Sequence, residues 1–257
     1  MGAGASEELR TAAEVRAALA AASSPERAAG AARFFKTGPG EYAEGDVFIG
    51  VTVPATRALV RRSLALPAAE TAELVASPIH EERLAGLLVM VERFRRAGRA
   101  RGRDDGVRRA EHEAYLAAVR AGHVDNWDLV DASAEVLVGE ELYAALPAVV
   151  PVPPLVAELA ASASLSQRRV AVLATFAAIK GGDAAPTLAL AERLLDDPEP
   201  LLHKAVGWML REVGKRVDRG ALTGFLDRFA ARMPRTMLSY ATEHLDPEER
   251  AGYRVLR

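Results

Sequence analysis

The sequence contains no cysteine, which excludes disulfides, thiolate metal sites and cysteine-ligated iron–sulfur clusters. Aromatic residues are scarce, at 5%, and only Lys36, Lys180, Lys204 and Lys215 among the 33 basic residues are lysines. No run of about 18 uncharged apolar residues occurs, so no membrane span is predicted. Met1 to Glu8 has neither a basic opening nor an apolar run, which reads as no signal peptide, and the expected location is the cytoplasm. Histidines are few and scattered (His80, His112, His123, His203, His244), and His80-Glu81 is not followed by a second histidine at zincin spacing. Neither metal nor other cofactor is expected. The glycine-rich stretch Thr37–Asp46 lacks the Gly-Lys-Ser/Thr of a phosphate loop, and Glu41, Glu44 and Asp46 would repel phosphate. It reads as an ordered connection between helices. No nucleophile elbow is present. No segment alternates with period two, so no sheet is predicted.

What remains is a globular composition, 50% hydrophobic and 26% charged, in a chain of 257 residues that can bury a sizeable core. Alanine dominates the apolar set, which favours closely packed helices. The net charge of −2 argues weakly against nucleic acid. The arginine excess argues the other way, because guanidinium forks onto phosphate and stacks on rings. A GC-rich genome, which raises Ala and Arg together, accounts for the same bias without function.

Helical periodicity runs nearly end to end. Ser24-Pro25-Glu26 opens a helix through about Lys36 with a cap and a first-position proline. Thr52 to Pro54 opens another through about Leu66, and Pro78 to Glu81 a longer one through about Arg96. Leu165 to Lys180 is one helix, closed by Gly181-Gly182. Pro198 precedes a helix that contains His203 to Lys215. Five helices share a polar or basic opening and a compact apolar face, beginning near His80, Asn126, Gln167, His203 and Arg235. A shorter helix precedes each, such as Pro154–Ala161 and Pro186–Leu195. That is the two-helix period of a HEAT-like solenoid, an all-α curved stack of antiparallel helix pairs whose second helices line a concave face. No linker divides it, so residues 1–257 read as a single domain with a poorly ordered start, about residues 1–8. The segment Arg93–Arg109 holds eight arginines and three glycines. It reads as an inter-helix turn, either simply solvated or a phosphate-contacting edge.

Trp127 and Trp208 are the two tryptophans, each near the start of one of these helices. Trp127 and Asp131 lie four residues apart and share a helical face that Asp128 and Asp125 do not. Lys204 and Arg211 flank Trp208 at helical spacing, and Gln167, Arg168 and Arg169 open the helix between the two tryptophans. From spacing alone two readings stand: core tryptophans with Asp131 paired to an arginine, or a functional face.

The motifs themselves bear on this choice. Asn126-Trp127-Asp128-Leu129-Val130-Asp131 resembles the Trp-x-x-x-Asp signature of AlkD-type DNA alkylation-repair glycosylases. His203-Lys204-Ala205-Val206-Gly207-Trp208-Met209-Leu210-Arg211-Glu212 resembles their second tryptophan motif. Arg168-Arg169-Val170-Ala171-Val172-Leu173 is similar to their arginine helix, and Phe48-Ile49-Gly50-Val51 with Pro54 and Arg57 to their N-terminal segment. The four matches follow family order over roughly residues 30–245. The stretch 37–46 is longer than in a member of that family, and Phe34 and Val53 stand where hydroxyl side chains would contact the DNA backbone.

The resemblance implies a stack of HEAT-like repeats that binds duplex DNA and cleaves the N-glycosidic bond of N3- or N7-alkylated purines, bulky adducts included. It implies Trp127, Asp131 and Trp208 as the catalytic trio, and Arg169, Arg57 and Lys204 as holders of the DNA backbone. Arg168, Arg211 and Arg235, which open or line the same helices, join that set. The expected protein is a monomer acting in base excision repair. The alternatives are a non-catalytic DNA-structure binder or a protein-binding HEAT scaffold.

Overall fold

We describe residues 8–143 and 152–256 of a computed structural model. The expected poorly ordered start lies outside the described residues except for Glu8, which pairs with Arg10. The described chain is all helical. Among its residues the only β pairing is an isolated bridge between Val47 and Ile79, and no helix is long and apolar enough to cross a membrane. The chain divides into two compact units, residues 1–133 and 134–257.

The first unit contains α1 (Ala12–Ala21), α2 (Pro25–Phe35), α3 (Val53–Val60), α4 (Ala68–Val75), α5 (His80–Ala97), α6 (Asp105–Arg120) and most of α7 (Trp127–Ala134). Local sequence explains many starts. Thr11 and Glu14 form a capping box on α1, and Ser24, Thr52 and Asp104 cap α2, α3 and α6. The second helix was expected to reach about Lys36, and α2 ends one residue earlier, with Lys36 left-handed as its C-cap. α3 stops at Val60, short of the expected Leu66, a position that Pro67 steers away from helical geometry.

α5 is the axis of this unit, with α1, α3, α4 and α6 packed against it. It is buried on nearly every face, so its charged first turn needs internal partners. Each has them. Glu81 accepts from the backbone N–H groups of Ile49, Gly50 and Val51, Glu82 from Arg16 and Ser77, and Arg83 donates to the Ser77 carbonyl and to Asp46 and Asp125. Two carboxylates at a helix N-terminus also suit the dipole. The arginine-rich stretch is a turn only over residues 98–104. Its ends belong to α5 and α6, where Arg93 pairs with Glu111 and buried Arg108 lies 3.8 Å over the Phe94 ring.

In the second unit α7 runs on through a π-helical stretch (Glu135–Glu140) into α8 (Glu141–Tyr143). There follow α9 (Pro154–Ala160), α10 (Leu165–Lys180), α11 (Ala185–Arg193), α12 (Pro200–Arg216), α13 (Arg219–Phe229), α14 (Arg235–Ala241) and α15 (Pro247–Val255). α10 has the expected bounds, set by Ser164 as cap and Gly181 at the end. α12 starts three residues before the expected His203, because Pro200 suits a first turn that needs no N–H donor. α10 packs between the π stretch and α12, and α12 between α10 and α14. Gly207 permits the second approach, since a Cβ there would meet the Met237 carbonyl.

Candidate active site

Trp127 opens α7, and its surroundings come from its own neighbour Asn126 and from two places distant in sequence. Asn126 accepts the Trp127 backbone N–H at 2.8 Å through Oδ1, capping the helix. The indole ring stacks on Phe35 at the end of α2, with centroids 5.3 Å apart and planes at 26°. Phe34 meets its edge at 6.1 Å. The indole Nε1–H donates to the Tyr42 hydroxyl at 3.2 Å. Trp127 is half-buried and Phe34 is 66% exposed, so this aromatic group is a surface shelf and not a core.

Beneath the shelf is a buried polar network. His80, the first residue of α5, sends Nδ1 to Asp46 and Nε2 to Asp128, both at 2.8 Å. Asp46 also accepts from Arg83 at 2.7 Å and from Asn126 at 3.0 Å. The His80 ring lies 4.3 Å from Phe48 and 5.3 Å from Phe35. Burial alone would lower the imidazole pKa, but hydrogen bonds and charges from Asp128 and Asp46 outweigh it and push it up to about 9. Burial likewise works against the Asp46 carboxylate. The bonds from His80 and Asn126, with the charges of His80 and Arg83, bring its pKa down to about 2.

Asp131 lies one turn after Trp127, half-buried. Behind it the Tyr115 phenol is fully buried and hydrogen-bonded to Ser133 at 3.0 Å. Burial, and then the charge of Asp131, push the phenol pKa up. The two aspartates of α7 thus have different settings: Asp128 faces His80, and Asp131 shares the helical repeat of Trp127. A cavity of about 440 Å³ lies elsewhere in this unit, between α4 and α6, and no α7 residue lines it.

The second unit holds Trp208, half-buried, with the Phe176 ring 6.0 Å away. Lys180, paired with Glu135, lies 4.8 Å over Phe176, and the Arg216 guanidinium 5.4 Å from it. Two cationic side chains thus lie near the Phe176 ring. The expected backbone contacts divide by environment. Arg168 donates to the Ser162 and Ala163 carbonyls and pairs with Asp197 at 2.8 Å. Arg169 is buried and donates to the Leu201 carbonyl at 2.6 Å. Arg211 is shared between Glu212 and Glu243. Arg57, Lys204 and Arg235 are exposed. His203 turns its Nε2 to the Asp197 carbonyl at 2.5 Å.

Sequence reasoning passed over His80, Asp46, Tyr42 and Phe35. The available signals were a buried-type histidine opening an apolar helix and three carboxylates in a loop too acidic for phosphate.

The sequence model of a family described as DNA alkylation repair enzyme matches residues 15–245. A solved structure described as a predicted DNA alkylation repair enzyme from Enterococcus faecalis superposes with a TM-score of 0.66. Its sequence identity is 17%, and the match covers 88% of this chain and 97% of that one, which shows a shared fold. A search of curated proteins returns no match.

Proposed function

The chain belongs to the family of DNA alkylation repair enzymes, and from that membership we propose that it is a DNA glycosylase, hydrolysing the N-glycosidic bond of cationic N3- or N7-alkylated purines in duplex DNA and so opening base excision repair. One observation carries this reading: Trp127 is fixed on a solvent-facing shelf, with the Asp131 carboxylate one helical turn away on the same face.

The residue types suit the reaction. An N3- or N7-alkylpurine is already cationic and leaves as a neutral base, so no general acid is required. The deoxyribose left behind carries developing positive charge. A fixed carboxylate stabilises that charge, and an aromatic face does so through its quadrupole. Asp131 also serves to orient the water that attacks the sugar carbon as the bond to the purine breaks, and to take the proton that the water gives up. The family resemblance assigns Trp208 to the same work. Exposed Arg57, Lys204 and Arg235 are the proposed phosphate contacts, and Arg168, Arg169 and Arg211 would have to exchange internal partners to join them.

The internal engagement of Arg168, Arg169 and Arg211 favours a second reading, a non-catalytic, protein-binding member of the family. Incubation of the purified protein with methylated duplex DNA decides between them. Release of free 7-methylguanine or 3-methyladenine is expected of the glycosylase, and no released base of the binder.

A further inference from the structure

We propose that His80 is the positioning residue of the α7 site: as an imidazolium bonded at both ring nitrogens, it fastens the loop that carries Tyr42 to the first turn of α7 and so fixes the seat of Trp127. As a role in catalysis this rests on the glycosylase reading above.

The protonation state follows from counting donors. Asp46 and Asp128 are acceptors, and each meets a ring nitrogen at 2.8 Å. A neutral imidazole has one N–H and would turn a lone pair toward the second carboxylate. Two donated bonds require two N–H groups. The cation lies against the Phe48 ring face, a favourable setting for charge in a buried place. The shift to about 9 agrees in direction.

The connections then run to Trp127 by four routes. Asp128 is the second residue of α7, and its Oδ1 also accepts the Leu129 backbone N–H at 2.9 Å. Asp46 holds the Asn126 amide, whose oxygen caps Trp127. Phe35 touches both the His80 and Trp127 rings. The loop end at Asp46 is four residues from Tyr42, which bonds the indole itself. The charged or titratable groups around the imidazole are Asp46 from the loop, Asp128 and Asp125 at α7, and Arg83 and Glu81 on its own helix, with Tyr42 above. His80 itself is 2% exposed and touches no substrate.

The test uses the full chain carrying Trp208→Phe, so that Trp127 is the sole indole and keeps its bond to Tyr42. Acrylamide quenching of the emission is followed from about pH 7 to about pH 10.5. Quenching is expected to rise with a midpoint near 9, and to be high and flat after His80→Gln. A flat profile with His80 present, or the same midpoint in His80→Gln, would overturn the proposal. Asp128→Asn serves where the glutamine variant does not fold. It should move the midpoint down by about one pH unit, since it removes one partner charge. Nitrogen-15 NMR of the unmutated protein at neutral pH should show two protonated ring nitrogens for His80, and one alone would overturn the imidazolium.

The catalytic part is read by single-turnover release from a 7-methylguanine duplex. His80→Gln should slow the step about tenfold while duplex affinity stays within about twofold, because misplacing a fixed group costs the transition state and not ground-state binding. Unchanged rate with a displaced Trp127 would overturn positioning for this reaction. If the unmutated protein releases no base, the glycosylase reading fails, while quenching and NMR still decide whether His80 seats Trp127.

Discussion

The Trp127 indole N–H is bonded to the Tyr42 hydroxyl across 85 residues of sequence. A single neutral hydrogen bond contributes about 1 kcal/mol net. Tyr42→Phe keeps the ring and removes the acceptor, so excision should slow about fivefold, with little change in unfolding midpoint. Single-turnover release and a urea titration check it. An unchanged rate would mean that the Phe35 stack alone holds the indole.

Asp131→Asn should abolish most excision. The amide keeps the shape of the side chain but removes the charge that, on the glycosylase reading, faces the developing cation. Losing one preorganised electrostatic group costs roughly 3 kcal/mol, on the order of 10²-fold in rate. Folding and duplex binding should stay close to normal, which circular dichroism and fluorescence anisotropy report. Full activity in the variant would remove Asp131 from the mechanism.

The sequence made the helices legible where the chain marks its own ends. Ser164 and Gly181 bound α10, and Ser24 with Pro25 opens α2. Separating Asp128 from the Trp127–Asp131 face anticipated that Asp128 points elsewhere, and it bonds His80. The network under the shelf was not legible. Its partners are 34, 48 and 80 residues apart, and no periodicity links such positions. Thr37–Asp46 read as a plain connection because its chemistry is tertiary: Tyr42 and Asp46 matter through what they meet. The π-helical stretch carried only a faint mark, Gly139, where a Cβ would meet the Ala174 carbonyl.

Stability should fall at both ends of the pH range. His80 titrates near 9 in the folded chain, above its ordinary 6.5. Its contribution is full below about pH 6.5 and is lost as pH rises through 9. Asp46 titrates near 2, below its ordinary 3.8, so its contribution is full above that value and is lost as pH falls through 2. The two shifts share a bond and do not add. Each bounds the loss at up to about 3 kcal/mol. Urea midpoints from acid to alkaline pH test this, and His80→Gln should flatten the alkaline limb.

Duplex binding should weaken with salt, with log K falling by about 0.9 per phosphate contact for each unit of log salt. Lys204 and Arg57 are exposed. Lys204→Ala and Arg57→Ala should each lower the slope by about one contact. Arg169 is buried on the Leu201 carbonyl. Arg169→Ala is therefore expected to lower the unfolding midpoint first, and to change the slope only if the guanidinium leaves that carbonyl to reach DNA. Anisotropy titrations at several salt concentrations separate these outcomes.

Substrate choice follows from the chemistry around α7. Excision should favour cationic N3- or N7-alkylpurines over neutral lesions such as uracil or 8-oxoguanine. A neutral base leaves poorly unless an acid protonates it. Tyr115 is sealed behind Asp131 with its proton held tightly. His80 carries a proton, but Asp46 and Asp128 occupy both its nitrogens. None of these is free to serve as the acid, so on the glycosylase reading the lesion's own charge weakens the bond. Rates should then track the intrinsic lability of the adduct more than the shape of its base. The measurement is a panel of duplexes carrying 7-methylguanine, 3-methyladenine, uracil or 8-oxoguanine, scored for free base by mass spectrometry. Efficient uracil release would reveal an acid or a base-reading pocket and refute this account. Release from none of the four, with duplex binding intact, would favour a non-catalytic DNA binder over the glycosylase.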